Sequence, residues 1–200
     1  MASAVLDRQS HGLTWVMREP VARACHALAV DGRVWLVDPV DEPEAMAAVA
    51  ALGEPAGVLQ LLDRHNRDCA AIAARLGVEL FTNPDSVPAT PFELVPVIRW
   101  PVWRETALWW PAQAVLVVPE AVGTAPAFAI GSGPVGVHPM IRLVPPRALR
   151  RFAPRHLLVG HGPPVHGPEA SNGLREALAR SRRDIPRLAL KLPALIRSAR

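Results

Sequence analysis

Two short polar segments, Asp63-Arg64-His65-Asn66-Arg67-Asp68 and Gly160-His161-Gly162-Pro163, each follow an apolar run and each carry a histidine. Metal-dependent hydrolysis needs imidazoles and carboxylates on rigid strand ends, converging on an ion that keeps a position open for water. The first segment offers His65 with Asp63 and Asp68. In the second, glycines on both sides of His161 allow a tight turn and close backbone approach. Alone, each histidine is more readily a hydrogen-bonded structural residue than a ligand; the order and spacing of the two segments carry the weight.

Other reactive residue types are less telling. His138, before Pro139, and His166, just past the second segment, can reach a pocket mouth there, but surface positions suit both. Cys25 and Cys69 form no Cys-x-x-Cys pair, which excludes a zinc ribbon or thioredoxin-type site, and they read as free thiols. Gly131-Ser132-Gly133-Pro134 lacks the Gly-Lys-Ser/Thr ending of a phosphate loop. The tryptophans at 100, 103, 109 and 110 suit core packing.

The elements that must hold these residues follow from pattern. Ala24 to Val30 and Arg33 to Val37 are apolar runs joined by Asp31-Gly32, a strong hairpin signal because both turn residues take positive φ. The second run ends at Asp38-Pro39. A helix follows, with Asp41 expected as its cap, Pro43 in its first turn and Gly53 beyond its end. Gly57 to Leu62 reads as a buried strand, Cys69 to Leu76 as a helix closed by Gly77, and Val78 to Phe81 as a strand. Strand, helix and strand with short loops imply parallel pairing, with ligands gathering at the carboxyl ends, where Asp38 and the 63–68 loop fall. Phe92 to Val97, Thr106 to Trp110 and Ala114 to Val118 read as an antiparallel meander. Residues 121–139 read as a long loop, Arg147 to Phe152 as a short helix, and His156 to Val159 as a last strand. Leu174, Ala177 and Leu178 give the tail from Pro168 a docking face.

With these motifs, from about Ala24 to about Ala177, the sequence resembles the metallo-β-lactamase-like hydrolase superfamily. The residues carrying the resemblance are Trp35-Leu36-Val37-Asp38-Pro39, the strand, loop and helix around His65, the stretch Glu105 to Glu120, and Leu157-Leu158-Val159-Gly160-His161-Gly162. The resemblance implies an α+β fold, an αββα sandwich of two facing mixed sheets flanked by helices, with one or two zinc, iron or manganese ions. It also implies where this chain departs. The family's first loop reads His-x-His-x-Asp-His. Asp63 stands at the first histidine, His65 keeps the second, Arg67 replaces the aspartate, and Asp68 replaces the third histidine. The histidine expected before Glu105-Thr106-Ala107-Leu108 is absent. Glu120 is the nearest carboxylate to the aspartate expected after the strand Val115 to Val118. The implied metal candidates are thus His65, His161, Asp63, Asp68 and Glu120, with Arg67, Asp38 and His138 in the same pocket. Arg67 brings a permanent cation to the second metal's place, where it can pair with Asp63, Asp68 or Glu120. The expectation is no two-metal centre, and either no metal or one divalent ion, zinc foremost.

Length and composition agree with one domain over 1–200, ending in a basic helical segment over 168–200. Half of the 200 residues are apolar, and no run is long enough to span a bilayer. Asp7 and Arg8 interrupt the N-terminus where a signal peptide would be apolar, so a cytoplasmic setting is expected. The net charge is +4 and uneven: from Leu174 to Arg200 eight basic residues face only Glu176 and Asp184. Such a tail reads as a solvated helix face, which sets nucleic acid aside. The expected partner is a small molecule or a protein, with no membrane and with an oligomer left open. Two functions fit: a non-catalytic ligand- or protein-binding member of the fold, or a single-metal hydrolase of an ester, thioester or amide.

Overall fold

The computed structural model describes residues 3–131, 133–187 and 190. The first half comprises β1 (Ala4–Gln9), β2 (Gly12–Met17), β3 (Ala24–Val30), β4 (Arg33–Val37), α1 (Pro43–Ala50), β5 (Glu54–Gln60), α2 (Cys69–Leu76) and β6 (Leu80–Thr82). The second half comprises β7 (Glu93–Trp100), β8 (Trp103–Trp110), β9 (Val115–Val118), β10 (Val122–Gly123), β11 (Gly136–Val137), β12 (His156–Val159), β13 (Val165–His166) and α3 (Pro168–Arg180). Strands β1 to β6 lie in sequence order in one sheet. The other runs β13-β12-β9-β8-β7, and β10 and β11 form a small ribbon inside the expected 121–139 loop.

Alternation along each strand builds the layers. In β4, Val34 and Leu36 join Ala45, Val49, Ile72 and Ala73 under the first two helices. Trp35 and Val37, the intervening residues, meet Phe92, Leu108, Trp110 and Val117 between the sheets. In β9 and β12, Leu116, Val118, Leu157 and Val159 turn the other way, onto Leu174, Ala177 and Leu178 of α3. This is the expected helix–sheet–sheet–helix order.

The local signals held in most places. Asp31 and Gly32 both take positive φ in the turn between β3 and β4, and Gly77 closes α2 in the left-handed conformation. The cap of α1 is Glu42 rather than Asp41: the Glu42 carboxylate accepts from the Ala45 amide at 2.7 Å, while Asp41 is held by Arg75. The hairpin of β1 and β2 was not foreseen. The tail is helical over Pro168–Arg180 and again over 185–187; the expected helix over 188–189 and 191–200 lies outside the described residues. Arg180 departs from the solvent-facing expectation, being turned inward onto Asp184 and the Val135 carbonyl. No described helix is long and apolar enough to cross a membrane.

Two connections bring the chemistry together. β4 and β5 run parallel, and so do β9 and β12, paired from His156↔Val115 to Val159↔Val118. The loop after β5 then crosses to the second sheet: Leu61 accepts from the Thr106 amide, and Asp63 and Arg104 exchange backbone and side-chain bonds.

Candidate metal centre

His65, Glu120 and His161 converge. One ligand atom from each lies within 4.8 Å of the other two, the only such group of three metal-ligating residues among the described residues. Donors at about 2.1 Å from a tetrahedral ion stand about 3.4 Å apart, so the set needs modest closing. His65 arrives from the loop after β5; Glu120 and His161 each stand two residues past the paired ends of β9 and β12, Val118 and Val159. Gly160 is needed for this approach. A Cβ there would meet the Pro119 carbonyl oxygen at 2.0 Å and His65 Cε1 at 3.0 Å.

Both imidazoles are oriented from behind. His65 Nδ1 lies 3.1 Å from Oδ2 of Asp38, and the other Asp38 oxygen accepts from the Leu61 amide at 3.0 Å. His161 Nδ1 lies 2.9 Å from the Val21 carbonyl oxygen. A carbonyl or carboxylate acceptor fixes the proton on Nδ1 and leaves the Nε2 lone pair for a ligand. Burial pushes the His161 pKa down to about 4, which keeps its imidazole neutral at physiological pH. Asp38 holds its position with φ of 44°, a left-handed conformation that a non-glycine residue adopts only when its surroundings require it.

Glu120 is positioned by Glu105, whose carboxylate accepts from the amides of Glu120 and Ala121 and from Trp103 Nε1. Glu105 is fully buried, and burial pushes its pKa up to about 7 against the pull of those three bonds. Arg64 holds one Glu120 oxygen at 2.7 Å and lies over the Trp103 ring. His138 Nε2 stands 3.7 Å from the other oxygen; its Nδ1 accepts from the Met140 amide, which leaves the proton on Nε2.

Arg67, also at positive φ, makes no ion pair with Asp63, Asp68 or Glu120. Its guanidinium donates instead to the carbonyls of Ala24 at 2.7 Å, Asp38 at 2.8 Å and Gly160 at 3.1 Å, and Nη2 lies 3.4 Å from His65 Nε2. It therefore ties both sheets together beside the cluster. The cleft, of about 410 Å³, is lined by Arg23, Arg64, Arg67 and the three candidate ligands.

The remaining candidates are elsewhere. Asp63 accepts from the Arg104 amide through one oxygen and Asp68 from the Asp41 amide, and neither joins the cluster. His166 is bound to His156 and Asp7, away from the cleft. Cys25 and Cys69 are buried, and burial raises their pKa values to about 11 and about 12, which suits packing rather than nucleophilic attack. Sequence reasoning missed the Val21 carbonyl, Arg23, and the roles of Glu105 and Arg64. Glu105 alone left a trace: a carboxylate on the same strand face as Trp103 and Ala107, where an apolar residue is expected.

No protein-family model matches the sequence, and no curated protein does. Solved structures match its fold. The metallo-β-lactamase FIM-1 from Pseudomonas aeruginosa, in its mono-zinc form, superposes with a TM-score of 0.59 at 10% identity, over 90% of this chain and 96% of its own. The chain has the metallo-β-lactamase-like fold. The metallo-β-lactamase DIM-1 exposed to ceftazidime shares that fold at a TM-score of 0.58 and 10% identity, over 90% of this chain and 98% of its own. The chemotaxis sensor ODP, described as a peroxy diiron species, does so at 0.55 and 12%, over 87% and 94%. Among these neighbours one is described with zinc and one with iron. The His–Glu–His group is a donor set of a kind that holds one such ion with an open position.

Proposed function

We propose that this chain is a single-metal hydrolase of the metallo-β-lactamase-like fold, acting on an ester, thioester or amide, with His65, Glu120 and His161 as the metal ligands. One observation carries the reading: Asp38 and the Val21 carbonyl each occupy an Nδ1 atom, which leaves the two Nε2 atoms as the ligand positions of a cluster that includes Glu120. Two imidazoles and a carboxylate make a catalytic zinc set. A divalent ion there supplies Lewis acidity and lowers the pKa of water enough to make a nucleophile at neutral pH. The protein's own groups do the rest. Arg64 and Arg67 line the cleft with positive charge, which stabilises an oxyanion developing on the substrate. The neutral His138, with Nε2–H 3.7 Å from a Glu120 oxygen, turns a donor toward that carboxylate and helps hold it in place as a ligand.

A second reading is a metal-free ligand- or protein-binding module, favoured by the contact between Arg67 and His65 Nε2. Equilibrium dialysis with zinc, followed by assay on ester and thioester substrates, separates the two. The hydrolase reading expects one ion per chain, lost in His65→Ala and in His161→Ala, and hydrolysis that stops on chelation and returns with one equivalent of metal. Absence of both the ion and the activity leaves the binding module.

A further inference from the structure

A second concave site lies on the outer face of the β13-β12-β9-β8-β7 sheet, between the 3₁₀ turn Arg147–Arg151 and α3. It has two lobes, of about 470 Å³ and about 220 Å³, which share the walls formed by Arg150, Leu178 and Ala179. It shares no lining residue with the His65–His161 cleft.

The two lobes differ in chemistry. The wide lobe is walled by Leu149, Phe152, Ala153, Leu174 and Leu178, with Arg151 and Arg175 at its rim. Phe152 is fixed there by its ring contact with Trp109, 5.2 Å between centroids, and Arg151 lies over its ring at 4.8 Å. The narrow lobe is lined by three arginines, Arg147, Arg150 and Arg182, beside Val144 and Pro145. No carboxylate of the described residues lines either lobe. Nearby, Asp184 is engaged by Arg142, Arg180 and Arg187, and Glu176 by Arg180, so the arginines of the groove have no acidic partner among the described residues. Arg182 turns Nε to the Leu143 carbonyl, which steadies the head of the narrow lobe.

Clustered cations without counter-charges raise the local concentration of anions. Aliphatic walls favour an apolar body, and concave sites of a few hundred Å³ that combine the two are typical of small-molecule pockets. An inorganic anion leaves the wide lobe unused, and a neutral lipid leaves three guanidinium groups unanswered. We propose that this groove binds an elongated aliphatic carboxylate, its chain in the wide lobe and its carboxylate among Arg147, Arg150 and Arg182. Bidentate guanidinium–carboxylate bonding fixes the head, and burial of methylene groups supplies the rest.

Titration calorimetry of the full-length protein with decanoate, below its micellar range, tests the proposal. Saturable one-to-one binding is expected, with decanol and acetate each weaker by about tenfold or more. The Arg147→Glu/Arg150→Glu double variant should lose about tenfold or more in affinity with an unchanged melting temperature. If that variant does not fold, Arg150→Gln, which removes one charge at nearly constant length, should show the same direction. Ala179→Trp, which fills the shared wall, should abolish binding. Acetate binding as tightly as decanoate would mean an anion site only, and decanol binding as tightly would mean an apolar cavity only; either result overturns the proposal. So does saturable binding of anionic vesicles or an acidic peptide when decanoate does not bind.

Discussion

Nη2 of Arg67 stands 3.4 Å from Nε2 of His65, the atom through which His65 would hold a metal. The same guanidinium also holds three main-chain carbonyls, two of them next to or within residues that orient the cluster, Asp38 and Gly160. It competes with a cation at the site and braces the site at once.

Arg67→Ala should therefore move two quantities in opposite directions. Zinc affinity should rise by about tenfold or more, because a permanent like charge is removed at short range. The stability of the metal-free protein should fall by about 2–4 kcal/mol, because three carbonyl acceptors lose a charged donor. Calorimetric zinc titration and denaturant unfolding read the two effects separately; a fall in both would show that Arg67 only braces.

Asp38→Asn is the sharper test of how His65 is oriented. Asparagine tolerates the left-handed conformation that Asp38 adopts, so the backbone cost is small. The amide is a poorer acceptor for His65 Nδ1–H. The single amide oxygen cannot accept from both the Leu61 amide and His65 Nδ1–H, so metal affinity should fall about 10- to 100-fold and stability by about 1–3 kcal/mol.

Glu105→Gln puts an NH₂ group against at least one of the three N–H donors that Glu105 now accepts. The protein should lose about 1–3 kcal/mol of stability. The Glu120 loop should loosen, so metal affinity should fall although no ligand is altered. A changed Trp103 emission would report the break at Oε2.

The pH dependence of stability has a worked sign. Burial lowers the pKa of His11 to about 4 and of His26 to about 3, as it does that of His161. A histidine depressed in the folded state contributes stability above its unfolded value of 6.5 and loses it as pH falls toward the folded value. Glu105, raised to about 7, works the other way, contributing most at low pH and losing that contribution as pH rises through 7. The three histidines outweigh the one carboxyl, and His138 and His156, also lowered by burial, add in the same direction, so unfolding of the chelated protein near pH 5 should take up at least about two protons. Melting temperatures measured from pH 7 to pH 4 should drop accordingly; a flat profile would contradict the assigned burial.

Much of the scaffold was legible because its signals are local. Asp31-Gly32 fixes a hairpin and Gly77 ends a helix through backbone conformation alone. The hairpin of β1 and β2 was not legible. β1 is an edge strand carrying Asp7, Arg8 and Gln9, with Val5 half exposed, so its pattern is set by neighbours it meets only in the folded chain. The site divides the same way. His65 and His161 stood out by motif. Which of Asp63, Asp68 and Glu120 joins them depends on the pairing of β9 with β12 and on the loop's crossing to β8, both made between residues distant in sequence. The positive φ of Arg67, which aims its guanidinium at carbonyls rather than carboxylates, has no signature in the residue type.

Glu120 and His161 leave the second sheet side by side, two residues past a shared pair, while His65 and Asp38 belong to the first. A cation at their meeting point would act as a clasp between the two layers of the sandwich. Its binding energy would be spent against sliding or parting of those layers rather than on either sheet alone. Local opening there would release two donors in a single event, so loss of the ion and exposure of the interlayer amides would share one rate.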